Sequence, residues 1–211
     1  MSRAWPDSVD VSGPEYDTKA LYDNAGGAEK YYDFIPEPTP QKHMESWIDR
    51  RWPKGRWLYI VGVIGSGRVA LTSYLLRRMI EKNPATYAER EYMPSLSNSI
   101  EFMRSDLIPY TIAELKNANV LILDEFRLDF KFHKYHRIFL DIITSRYERG
   151  SCTVITSQIS IAELYGLPQP WAKLSPEGVI KRDIASRLIE VCDVYNLNDT
   201  TDLRVKGVKD A

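Results

Sequence analysis

From residue 41 onward, short apolar runs alternate with stretches whose apolar residues recur every three or four positions. The runs read as strands and the periodic stretches as helices. A helix is expected over 41–51, then a strand over 57–61. The next helix, over 68–82, places Leu71, Leu75 and Met79 on one face. A short strand over 86–88, a helix over 97–104 and another helix ending near Lys116 come next. Residues 120–123 read as a buried strand. Residues 135–148 form a helix in which Ile138, Phe139, Ile142, Ile143 and Tyr147 share a face. The remaining elements are a strand over 152–156, a helical turn over 161–165, a helix over 179–189 and a last strand over 191–197. Strands separated by helices predict an α/β fold, with a parallel sheet covered on both faces.

Residues 1–40 lack such a period. They are rich in Pro, Gly, Tyr and Asp, and the run PEPTP over 36–40 reads as an extended linker. The expected organisation is a flexible acidic arm over 1–40 followed by one folded domain over 41–211. Tyr16, Tyr22, Tyr31 and Tyr32 offer anchors by which the arm could dock on a partner; the alternative is a solvated tail.

Charge sharpens that division. The formal net charge is −1, yet residues 1–40 carry eight acids against three bases, leaving 25 bases and 21 acids for the rest. This mild basicity permits nucleic-acid binding without arguing for it. With 44% apolar residues the chain can bury a sizeable core. No apolar run approaches the ~18–20 residues a membrane helix needs, and the first ten residues lack the features of a secretory signal. A cytoplasmic protein is expected, with Cys152 and Cys192 as reduced thiols in apolar strands rather than a disulfide.

The segment 58–69, LYIVGVIGSGRV, runs from an apolar strand through a glycine-rich turn into a helix. Glycines let the backbone curl so that successive N–H groups converge on an anion, and the helix adds its positive end. Gly62, Gly65, Ser66, Gly67, Arg68 and Val69 are therefore the expected cradle for the phosphates of ATP. Two positions depart from the phosphate-loop pattern. Arg68 replaces its lysine, keeping the charge on a bulkier, planar group. Val69 replaces its Ser or Thr, removing the hydroxyl that would bind Mg²⁺. The metal should be held poorly, which leaves turnover an open question.

The segment 119–125, NVLILDE, places two carboxylates at the end of a buried strand, where ligands of open α/β sheets sit. Asp124 is positioned to hold Mg²⁺ and Glu125 to polarise an attacking water. Gln158, at the end of the strand over 152–156, could sense a γ-phosphate.

In order and spacing these segments, with SRYERGSCTVITSQ over 145–158 and IASRL over 184–188, resemble the DnaC/DnaI/IstB-like AAA+ ATPases across about residues 41–205. The resemblance implies a five-stranded parallel sheet of the P-loop AAA+ type, without a separate C-terminal lid. The strand leading to Gln158 would lie between the loop strand and the Asp124 strand. It also implies a ring or spiral assembly. Arg187 would then act in trans as an arginine finger, with Arg182 second, and Arg204 would match the sensor-2 arginine. Gln158 stands where the family has Asn. The partners implied are a replicative hexameric helicase and single-stranded DNA; no membrane is involved. A transposition helper of the IstB kind and a catalytically inactive AAA+ adaptor or inhibitor are the alternatives.

Two further clusters mix bases with aromatics, KFHKYHR over 131–137 and RRWPKGRW over 50–57. The first suits phosphate contact and base stacking, although a solvated loop running into a helix is the favoured explanation. His133 and His136 have no further His or Cys nearby in sequence, which argues against a metal site.

Overall fold

The computed structural model describes residues 16–93, 96, 104, 106–127, 133–165 and 176–197. Alternation along its strands sorts side chains into two cores, because successive strand residues point to opposite faces. On β1 (Trp57–Val61), Trp57, Tyr59 and Val61 face one side and Leu58 and Ile60 the other. On β3 (Val120–Asp124), Leu121 and Leu123 join the first core, and Val120 and Ile122 the second. Both strands are buried along their whole length, as a strand covered on both faces must be.

Helices cover each face. Phe139, Ile142 and Ile143 of α5 (His133–Arg149) and Ile184 and Leu188 of α7 (Pro176–Val191) pack on the first. Met44, Trp47 and Ile48 of α2 (Pro38–Arg50) and Leu71, Leu75 and Met79 of α3 (Arg68–Lys82) pack on the second. The layers are helix, sheet, helix. With β2 (Ala88–Tyr92), β4 (Cys152–Ser157) and β5 (Cys192–Asn196), the sheet has order β2-β3-β4-β1-β5 and every described pairing is parallel. As expected, β4 lies between β1 and β3. No described helix is long and apolar enough to cross a membrane.

The structure alters three expectations. The helix expected from residue 41 begins at Pro38, whose fixed φ suits a first helical turn. The edge strand lies at Ala88–Tyr92 rather than 86–88. Residues 16–40 are folded rather than a loose arm. Asp17 caps α1 (Thr18–Asn24), its carboxylate accepting from the Ala20 N–H at 3.0 Å. Tyr22 is fully buried, which stabilises the segment by about 1.5–3 kcal/mol. Its ring meets Tyr32 edge-on at 5.1 Å, and its hydroxyl donates to the Ala28 carbonyl at 3.0 Å. Arg77 of α3 donates to the Tyr32 carbonyl and tethers the segment to the domain. The PEPTP run is thus a helix start, not a linker.

Two further α-helices, α4 (Ile108–Asn117) and α6 (Ile161–Tyr165), and 3-10 turns at Glu29–Tyr31 and Trp52–Lys54 complete the described elements. The helix expected over 97–104 falls almost wholly outside the described residues, as do Arg204 and residues 128–132. Cys152 and Cys192 are free thiols, and burial pushes the Cys152 thiol up to about 12.

Candidate functional site

The loop leaves β1 at Gly62, where a side chain would collide with Ser66 Oγ and sit 2.9 Å from Leu197 Cβ. Gly65 and Gly67 take left-handed conformations, with φ of 85° and 88°. This curl brings the chain to the start of α3. The first i to i−4 bond there runs from Leu71 N–H to the Gly67 carbonyl at 2.9 Å. The amides of Arg68, Val69 and Ala70 precede it, so they lack intrahelical acceptors and no side chain caps them. They end a cavity of about 390 Å³ lined by Gly65, Ser66, Gly67, Arg68, Val69 and Glu125. The far wall is built by Lys30, Tyr31 and Phe34 of the N-terminal segment. Ser66 Oγ is buried there without a hydrogen-bond partner among the described residues.

Arg68 lines the cavity without reaching across it. It is 4% exposed and turns back, donating to the Gly62 carbonyl and to Glu125 Oε1. Glu125 also accepts from Gln158 Nε2 at 2.9 Å. The Glu125 backbone is left-handed, with φ of 57°, a conformation that costs about 1 kcal/mol or more outside glycine. β4 clamps the turn: Glu125 N–H donates to Thr156 Oγ1 at 3.0 Å and Phe126 N–H to the Thr156 carbonyl at 2.7 Å. The strain aims Glu125 at the loop, and Arg68, Glu125 and Gln158 form one hydrogen-bonded chain.

Asp124 sits apart from that chain. It is 3% exposed and does not line the cavity. Strand alternation turns it toward α3, and register turns Arg90 the same way. Arg90 pairs with Ile122 and Tyr92 with Asp124 in parallel register, so Arg90 shares the Asp124 face. Asp124 Oδ2 accepts from Arg90 Nε at 2.7 Å and Nη2 at 2.6 Å. Oδ1 accepts from the Thr156 hydroxyl at 3.1 Å and lies 3.2 Å from the Thr72 hydroxyl. The remaining Arg90 donors reach Ser73 Oγ at 2.7 Å, Thr72 Oγ1 at 2.8 Å and the Val69 carbonyl at 3.1 Å.

Mg²⁺ does not fit this arrangement. Its expected carboxylate already carries two guanidinium N–H groups and the Thr156 hydroxyl, which use three of the roughly four acceptor positions a carboxylate offers. The hydroxyl that would complete the metal's oxygen shell is absent at Val69, whose carbonyl accepts from Thr72, Ser73 and Arg90 instead. Among the described residues no cluster of three or more His, Cys, Asp or Glu could hold a metal ion.

The site thus brings together residues 62–69, Glu125 and Gln158, and sets Asp124 beneath them. Arg187 is elsewhere, on α7, with its guanidinium donating to the Asp183 carbonyl one turn back at 2.8 Å. Sequence reasoning missed Arg90, Thr72, Thr156 and the wall of Lys30, Tyr31 and Phe34. For Arg90 the available signal was a cation at an inward position between Glu89 and Glu91 of a hydrophilic strand.

A strand, a glycine loop, a helix and an acidic strand end, on a parallel sheet of order β2-β3-β4-β1-β5, define the P-loop fold of the AAA+ type. Solved structures agree with this assignment. DnaI matches at a TM-score of 0.64 and 16% identity, over 82% of this chain and 92% of its own. The DnaC helicase loader matches at 0.58 and 17%, over 80% of this chain and 99% of its own. The replication initiator DnaA bound to AMPPCP and single-stranded DNA matches at 0.59 and 15%, over 87% of this chain and 54% of its own. No protein-family model and no curated protein sequence matches the chain.

Proposed function

We propose that this chain is a helicase-loader-like AAA+ protein. It binds ATP between the glycine loop and the N-terminal segment and engages a replicative hexameric helicase and single-stranded DNA. Nucleotide serves mainly as an assembly signal, with weak hydrolysis. The observation that carries this reading is the cavity of about 390 Å³, in which uncapped amides at the start of α3 face Glu125. The likeness to DnaI and the DnaC helicase loader over nearly their full lengths supports the role.

The geometry suggests how the signal is read. A triphosphate entering the cradle competes with Glu125 for the Arg68 guanidinium, because phosphate accepts guanidinium hydrogen bonds bidentately. Drawing Arg68 onto the phosphates frees Glu125, still oriented by Gln158, to polarise a water. Without nucleotide the same pair keeps Glu125 idle. In an assembly, Arg187 of α7 would act on a neighbouring copy's site, and Arg204 would act within its own subunit.

The experiment is anisotropy of a labelled single-stranded oligonucleotide and co-elution with a replicative hexameric helicase, each with and without ATP. ATP hydrolysis is measured in parallel. ATP-dependent binding of both partners, with slow turnover, is expected. Failure to bind either partner contradicts the loader role. A second reading, an inactive AAA+ adaptor, is favoured by the closed Arg68–Glu125 pair and Val69; it predicts no turnover with or without DNA. If turnover occurs, Glu125→Gln should abolish it and spare nucleotide binding.

A further inference from the structure

We infer that Arg90 serves as the fixed cation of this site, so that the cradle takes nucleotide phosphates without a divalent metal. The inference rests on the nucleotide site proposed above and concerns how its charge is balanced. Arg90 is buried, at 9% exposure, and so is Asp124, at 3%. Its guanidinium does at Asp124 what a bound cation would do: it neutralises the carboxylate through two short contacts and gathers the surrounding oxygens of Thr72, Ser73 and Val69. A metal prefers oxygens, and each oxygen here is already paired to a donor. Val69 belongs to the same design. With an arginine in place of the ion, a hydroxyl at residue 69 has no metal to bind, and the Val69 carbonyl serves Arg90 instead. The charge above the floor comes from Arg68 and Lys30, the two cations on the cavity wall. Phosphate oxygens are then met by guanidinium, ammonium and amide donors alone.

The test is titration of the full chain with a fluorescent ATP analogue in millimolar Mg²⁺ and, separately, in excess EDTA. Dissociation constants within about threefold of each other are expected. Binding that tightens tenfold or more with Mg²⁺ overturns this inference and leaves the nucleotide site standing. Absence of binding in both buffers overturns the nucleotide site and the inference with it. A second measurement needs no nucleotide. Electron paramagnetic resonance of added Mn²⁺ should detect no bound ion in the wild-type chain. In Arg90→Gln it should detect one bound ion, lost again in Arg90→Gln/Asp124→Asn. A bound ion in the wild type that Asp124→Asn removes would overturn the inference even if Arg90→Gln fails to fold.

Discussion

The two edges of the sheet use buried arginine in opposite ways. At the carboxyl edge, Arg68 and Arg90 are each paired with a carboxylate, Glu125 and Asp124. At the amino edge, Arg146 of α5 is fully buried and bonds neutral groups. It reaches the Leu115 and Ala118 carbonyls at 2.8 and 2.7 Å, Thr153 Oγ1 at 2.9 Å, and the Cys152 carbonyl. These carbonyls close α4 and open β3 and β4, so one side chain satisfies backbone groups that the topology would leave orphaned. Burial pushes the Arg146 pKa down to about 10, so the group stays charged at neutral pH. The contrast separates a staple from a site. Carbonyls cannot be exchanged for a ligand without unfolding the segment, whereas Glu125, at the cavity, can yield its arginine to a phosphate. The SRY motif of residues 145–147 therefore marks architecture, and the loop and NVLILDE frame the proposed nucleotide site.

The largest expected effect is at the staple. Arg146→Met leaves several buried carbonyls unpaired and should lower stability by about 3–5 kcal/mol in urea unfolding. Arg146→Lys should recover little of it, since an ammonium cannot span both α4 and β4. A loss under about 1 kcal/mol would erase the distinction between the edges.

Next comes the Arg90 pair. Arg90→Met strands a buried carboxylate and should cost about 3 kcal/mol, most of it recovered in Arg90→Met/Asp124→Asn. Equal loss in the single and double variants would mean that Arg90 acts through packing rather than charge. At the partly open pair the effect is smaller. Glu125→Gly removes left-handed strain and also the Arg68 partner, so stability should change by no more than about 1 kcal/mol. ATP should meanwhile bind more tightly, because Arg68 is no longer held back. Weaker ATP binding would show that Glu125 shapes the cradle instead of restraining Arg68.

The smallest effect at neutral pH involves a thiol. Unfolded Cys152 ionises near 9.0, whereas the folded thiol keeps its proton to about 12. The folded state thus binds more protons between these values, and stability should fall as pH rises through them. Substituting Cys152→Ala should flatten this part of the pH profile.

Much of this was legible in the sequence, for reasons visible in particular elements. The limits of β1 and α3 could be read directly, because five consecutive buried positions and a clean helical stripe carry their own period. The loop and Asp124–Glu125 followed from glycine spacing and a charge pair after an apolar run. Arg90 was hidden because its strand, AEREY, is hydrophilic by composition; it is buried only because Asp124 and Thr72 come to meet it. The folded state of residues 16–40 was hidden because Tyr22, Tyr32 and Phe34 dock individually, with no period to announce them. The Asp17 cap before Thr18 was its one local signal. Turning Arg68 back on Glu125 rather than outward is a choice of rotamer, which spacing does not encode.

The central claim is that the carboxyl-edge cradle is where nucleotide binds and that the amino edge only holds the fold. Amide hydrogen exchange with and without ATP tests it directly. Protection by ATP should be concentrated in residues 65–70, with a smaller change around Glu125, while residues 115–118 and 146–153 exchange at unchanged rates. ATP-induced protection centred on the Arg146 end, with residues 65–70 unaffected at saturating nucleotide, would contradict it.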